Sequence, residues 1–354
     1  MKRMVILGLI IVMSVLVLYV LVQDNGEIVE NGEIVKDIEG YDIDDYYPFL
    51  EDTLLTYQGE GNEFAAQDLY FDFIVDGLAQ VRVSNLGTTM GRIIMIEDGE
   101  IRSANVAKEF YHLEDLTNKE MAGYDVLLKE PLEEGTSWSL DDGRERYISG
   151  VDIEVKTPSG EYQAIEVTTK LEDAIQVDYY VAQIGHVKRD YQGDGFGAKT
   201  VLKEIKKDES ITYPTKFFYP DFVNEKIKYV IRDIDFSTND DLRVIFTENL
   251  RQVPDEGLTQ LISKNTEINQ IELEREKGMV KVDFSKELIS DMNVGHLLES
   301  KIIQSIVNTF GKHYNVDKVY LSLDGRPYES GHMMLREDEY FTVEVGGIEE
   351  YQEN

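Results

Sequence analysis

The chain has 354 residues, 42% of them hydrophobic, which is enough for two cored globular units and too much for wholesale disorder. Its formal net charge is -34, from 69 acidic against 35 basic residues. That balance excludes nucleic acid as a partner, because phosphate binding needs clustered Lys and Arg, and it disfavours anionic lipid. With no cysteine present, disulfides, thiolate metal sites, a cysteine nucleophile and a lipidated cysteine are excluded as well.

Residues 4–22, opened by Met4 and closed by Val22, contain no charged side chain, and Lys2 and Arg3 precede them. At ~1.5 Å per residue such a run spans nearly ~30 Å of hydrocarbon. The exit around Leu21, Val22 and Gln23 offers no small-residue cleavage pattern. The sequence therefore predicts a transmembrane helix, with residues 1–22 forming a basic tip and anchor. By the positive-inside tendency the N-terminus is cytoplasmic and the bulk extracytoplasmic, as in a single-pass protein of the cell membrane. Residues 23–45, rich in Asp, Glu, Gly and Asn and carrying NGEIV twice, read as an acidic tether.

Residues 46–205 predict a mainly antiparallel β domain. Short β-branched or alternating runs at 54–57, 69–75, 79–83 and 92–96 are punctuated by the turn pairs Asp98-Gly99, Asp142-Gly143 and Ser159-Gly160. The last pair joins 151–156 to 162–168 as a hairpin. Trp138, the single tryptophan, is expected to close a core.

The polar stretch 206–214 reads as a linker. Beyond it, 215–345 predict a small α/β sandwich of order β-α-β-β-α-β, and 346–354 an acidic tail, giving an α+β chain overall. Its strands are expected at 228–234, 267–274, 279–284 and 318–323. The helix at 240–250 is signalled by Leu242, Ile245, Phe246 and Leu250, and the clearest helix by Leu298, Ile302, Ile306 and Phe310, with Gly311 placed to stop it.

No catalytic residue, cofactor or metal site is predicted. Glu272, Glu274 and Glu276 alternate as a solvated strand face. His112, His186, His296, His313 and His332 show no zinc spacing and read singly as surface or turn residues. The glycines at 193, 195 and 197 lack the lysine ending of a phosphate loop.

One ordered set of short segments carries a resemblance. FFYPD (217–221), Arg232, VDFS (282–285), Glu299, IVNTF (306–310) and VYLSLDG (319–325) follow one another, with Gly331-His332 after them. Over about 215–335 the chain resembles a GerMN domain, the module of GerM-type sporulation and spore-germination proteins, here as a single copy. The upstream region, through PLEEGTSW (131–138), VKTPSG (155–160) and YYVAQIGHVKR (179–189), is similar to an extracytoplasmic domain that accompanies such modules. The resemblance implies structural or partner-facing roles for Tyr219, Pro220, Asp221, Arg232, Asp283, Glu299, Asn308, Thr309, Asp324 and Gly325. It implies a non-enzymatic envelope protein that binds another envelope or sporulation protein, or itself, through exposed sheet edges or a helix face. The rival readings are a factor that binds or hydrolyses cell-wall glycan and a solute-binding sensory ectodomain.

Overall fold

Alternating apolar and polar residues generate strands, and in the first half each strand finds its sequence neighbour through a short turn. The structure, a computed structural model, describes residues 40–352 except 120, 122 and 222. Its first unit consists of β1 (Leu54–Glu60), β2 (Gln67–Val75), β3 (Leu78–Asn85), β4 (Thr89–Glu97), β5 (Glu100–Lys108), β6 (Asp125–Lys129), β7 (Ser137–Ser139), β8 (Glu145–Thr157), β9 (Gly160–Lys170), β10 (Ala174–Val181), β11 (Gly185–Gly193) and β12 (Phe196–Lys206). They form one 12-stranded antiparallel sheet in the order β6-β5-β4-β3-β2-β1-β12-β11-β10-β9-β8-β7.

The two end strands, β6 and β7, come together. Trp138 Nε1 donates to Val126 O at 3.0 Å, and Arg146 Nη1 donates to the same carbonyl. The sheet is thus nearly closed, which leaves little free edge. Trp138 is buried there, as a core residue should be. Leu55, Phe71, Val81, Ile148, Val167 and Leu202 fill the interior. A 3-10 turn, Ile43–Tyr46, packs across one end against β5 and β11, held by Gln183 N donating to Asp45 O at 2.7 Å. On the outer face of β3 and β4, Ile93 packs under Phe110 and Leu116 from the following loop.

The second unit contains β13 (Ile211–Asp221), β14 (Lys226–Phe236), α1 (Leu242–Arg251), β15 (Ile268–Glu274), β16 (Met279–Phe284), α2 (Glu287–Ser290), α3 (His296–Tyr314), β17 (Lys318–Leu323), β18 (Arg326–Pro327), β19 (Phe341–Thr342) and β20 (Glu349–Glu350). β13, β14 and β20 make a 3-stranded sheet, while β15 to β19 make a 5-stranded one in which β16 and β17 are parallel and joined across α2 and α3. Phe217, Phe246, Phe284, Ile306, Phe310 and Leu321 share one core between these layers.

The expected architecture is corrected here. The small unit is built on two sheets rather than one. Its first helix is preceded by a full hairpin, β13 with β14, where sequence periodicity predicted a single strand. Phe217, Phe218 and Tyr219 are buried consecutively, so β13 shows no period-two alternation, and Pro214 and Pro220 argue against a strand unless it lies at an edge, as it does. The predicted transmembrane helix at 4–22 lies outside the described residues, and among those no helix is long and apolar enough to cross a membrane. Two packed β-rich units thus replace the expected single-pass architecture, and the membrane placement that went with it has no support in the fold.

Gly311 does not stop its helix either. α3 runs on to Tyr314 and ends at Asn315, whose φ of 52° is left-handed, with Val316 N returning to Gly311 O at 2.9 Å. Gly311 serves packing instead, since a Cβ there would stand 2.1 Å from Val343 Cγ2 and 3.0 Å from Val316 O. Gly311→Ala is expected to cost about 1–3 kcal/mol by overpacking despite its better helix propensity, measured as a lower urea midpoint.

Candidate functional site

The two units are joined by a polar network centred on a buried ion pair. On β2 and β3, Asp72, Gln80 and Arg82 face outward under the 109–116 loop. Arg82 donates to Asp72 through Nε at 3.2 Å and Nη2 at 2.9 Å, and Gln80 Nε2 donates to Asp72 at 3.0 Å. Arg82 then holds the loop carbonyls of Phe110 and His112 at 2.7 and 2.9 Å, while Gln80 exchanges hydrogen bonds with Glu114 O and Leu116 N. An irregular loop is thereby given fixed geometry, because its carbonyls find buried charged donors.

That loop is what the second unit grips. Leu113 N donates to His313 Nε2 at 3.2 Å, which requires a neutral imidazole. Burial, reinforced by the neighbouring His112 and Arg82, pushes the His313 pKa down to about 3. Tyr213, Phe246 and Tyr314 pack edge-on around the ring. Arg275, from the turn between β15 and β16, pairs with Glu114 and lies 2.9 Å from His112 Nε2. A second seam binds the units where Asp52 accepts Thr238 N at 2.8 Å and Asn239 Oδ1 accepts Ile74 N at 2.8 Å. His112 and His313 are therefore buried interface residues, not the surface or turn residues their isolation in sequence suggested. A signal existed for His313, which continues the stripe of Ile302, Ile306 and Phe310 by one helical step.

Beside this network lies a cleft of about 750 Å³ between the units. One wall is β15, the edge strand of the 5-stranded sheet. In an antiparallel strand alternate residues turn both backbone groups outward. Asn269 O accepts from Arg243 at 3.2 Å and Leu273 O from Lys119 at 3.3 Å, so outward-facing backbone brackets Ile271, whose N–H and C=O face the cleft with no strand beyond them among the described residues. Asp115, Asp240 and Glu272 line the space along with Lys119 and Arg243. Glu114 Oε1 is buried at its wall without a hydrogen bond among the described residues, 3.7 Å from Lys119 Nζ.

The residues singled out by resemblance do not converge there; each holds a local piece of the second unit. The buried Tyr219 donates to Gln252 O at 2.9 Å, and Arg232 joins it at 3.3 Å while donating to Asn249 O at 2.8 Å, which caps the end of α1. Pro220 O accepts Thr259 N, and Asp221 closes the hairpin turn by accepting from Asn224. Asp283 accepts from Ser322 Oγ at 2.5 Å and Gly325 N at 2.8 Å, fixing the turn in which Asp324 and Gly325 both have positive φ. Thr309 accepts Phe218 N at 3.1 Å, binding α3 to β13. Asn308 exchanges bonds with both backbone groups of Glu344. Glu299 is buried between Tyr328 at 2.9 Å and His332 at 2.5 Å. Burial would raise its carboxyl, yet hydrogen bonds from Ser330, His332 and Tyr328 hold it below the usual range. A carboxylate kept ionised in this way accepts hydrogen bonds and is poorly suited to donate a proton. Among the described residues no group of three or more His, Asp or Glu is placed to hold a metal ion.

Residues 216–329 match the Germane family, described as sporulation and spore germination, so this stretch of the second unit is a Germane domain. Solved structures show partial likenesses at low identity. The tandem GerMN domains of the sporulation protein GerM from Bacillus subtilis share 22% identity, covering 32% of this chain and 40% of that one, with a TM-score of 0.26. The first GerMN domain of the same protein shares 19%, covering 36% and 98%, with a TM-score of 0.28. A Bacteroides fragilis protein with a YmcC-like fold shares 12%, covering 46% and 98%, also at 0.28. Among curated proteins none matches.

Proposed function

We propose that the chain is a non-enzymatic interaction module of sporulation or spore germination, which takes an extended segment of a partner protein onto the free edge of β15. The observation that carries this reading is the backbone of Ile271, unpaired among the described residues and held open in the cleft between Arg243 and Lys119. Strand addition would satisfy that backbone, and the pockets on either side would select side chains. Asp115, Asp240, Glu272 and Glu114 Oε1, which accepts no hydrogen bond among the described residues, favour a segment bearing Lys or Arg. The acidic surface of the whole chain would steer such a segment inward.

A photo-crosslinking residue in place of Glu272, in the full chain expressed in its host, tests this directly. The expected result is a discrete protein adduct that forms during sporulation or germination and is lost when Ile271→Pro is added. Proline there deletes the outward N–H but no ladder bond, so the fold should tolerate it. The reading fails if no adduct forms at either stage, or if an adduct of equal yield forms with proline present while circular dichroism shows the variant folded.

A further inference from the structure

The interior of the first sheet holds charged side chains that neither the interdomain network nor the cleft uses. Strand register puts them there. Arg92 shares its face of β4 with Ile94, and Arg189 its face of β11 with Val187, both apolar partners lying in the sheet's own core. Asp178 likewise stands two residues from the buried Tyr180 on β10.

Most of these groups are paired. Asp178 accepts from Arg189 Nε at 2.7 Å and lies 2.9 Å from His186 Nε2. Burial opposes its ionisation, but Arg189 and His186 hold the carboxyl well below its usual range. Arg146 is occupied by Thr169 Oγ1 at 2.8 Å and by Val126 O. Tyr57 donates to His186 O at 2.7 Å.

Arg92 is different. Among the described residues it makes no ion pair and no hydrogen bond, and its Nε is buried without an acceptor. Burial depresses its pKa, Tyr47 opposes that, and the Arg189 charge adds to it, so the guanidinium sits in an environment that disfavours its own charge. The hydroxyls of Tyr47 and Tyr180 also have no hydrogen-bond partner among the described residues, and Tyr180 lies in the field of Asp178, Arg146, Arg189 and Tyr47. Arg189 keeps 39% of its side chain exposed while Asp178 keeps 3%, so water reaches this part of the interior. Asp178 neutralises one guanidinium, leaving Arg92 and Arg146 as excess positive charge inside a protein whose total is -34. Arg92 is partly buried, and a partly desolvated charge without a counter-ion is costly where an apolar side chain would fill the same volume without that cost.

We propose that the interior of the first sheet binds a small oxyanion, a phosphate or carboxylate group, with Arg92 as its charged anchor and the Tyr47 and Tyr180 hydroxyls as additional donors. A planar guanidinium offers two parallel N–H bonds to either group, and the phenols suit the remaining oxygens. The Asp178–Arg189 pair limits repulsion beside the anchor without consuming it.

Thermal melting of the full chain in inorganic phosphate and in succinate, each against sodium chloride of equal ionic strength, reads the site. At least one of the two should raise Tm saturably by about 3 °C, and which one does identifies the oxyanion. Arg92→Met should abolish that rise and, without anion, melt higher than the parent because the unpaired charge is gone. The proposal is overturned if neither anion gives a saturable rise, if Arg92→Met keeps it, or if Arg92→Met melts lower without anion, which would make Arg92 a structural support.

Discussion

Asp72→Ala is expected to destabilise the protein by about 3–5 kcal/mol, because it leaves the Arg82 guanidinium buried without its carboxylate. Arg82 and Asp72 are both buried, and Arg82 also carries the carbonyls of Phe110 and His112. The damage should spread beyond the pair. The loop that presents Leu113 to His313 and Glu114 to Arg275 loses its anchor, so the units should loosen against each other before the sheets unfold. Urea unfolding followed by circular dichroism measures the loss. The double variant Asp72→Ala with Arg82→Met should recover much of it, since removing both charges leaves nothing buried and unpaired. Simple additivity of the two single losses would show that the pair is not a coupled unit.

Acid should weaken the same interface, and the sign follows from His313. Its folded pKa of about 3 lies below the ordinary histidine value of about 6.5, so the unfolded chain takes up the extra proton between those limits. The stability it contributes is complete above about pH 6.5 and falls by about 1.4 kcal/mol per pH unit below that, or about 3 kcal/mol by pH 4. The ring is faced by His112 from the loop, Arg82 from β3, Tyr213 and Thr215 from β13, and Tyr314 on its own helix, with Glu114 and Arg275 acting on His112 and Tyr314 behind it. His112 is also depressed, by burial first and against the pull of Glu114, and so adds in the same direction. Asp178 acts later, below the ordinary aspartate range. Urea midpoints from pH 7 to 4 should trace the fall, and His313→Gln should flatten it while keeping an acceptor for Leu113 N. An unchanged slope in that variant would assign the pH dependence elsewhere.

Much of the second unit was legible in advance where one face is buried and the other wet. Val280, Val282 and Phe284 alternate on β16, and Ile302, Ile306 and Phe310 recur on α3, because each element turns a single apolar face to the common core. β13 was not legible, since buried aromatics on successive residues erase the alternation. The helix end was misplaced at Gly311 because small size there answers to Val343, a residue 32 positions away by number.

The cleft and the interior site show the same division. Sequence by itself determined the β content of the first half, the apolar faces of the second and the acidic balance, because these depend on composition and on periodicities of a few residues, and an ordered set of short segments carried the GerMN resemblance. Only the tertiary structure decided that the strands curl into a nearly closed sheet, that His313 meets Leu113 across 200 positions, and that, among the described residues, Ile271 keeps its backbone free and Arg92 turns inward without a partner. Those outcomes rest on long-range register and on which buried charge finds a mate, and no local pattern carries either.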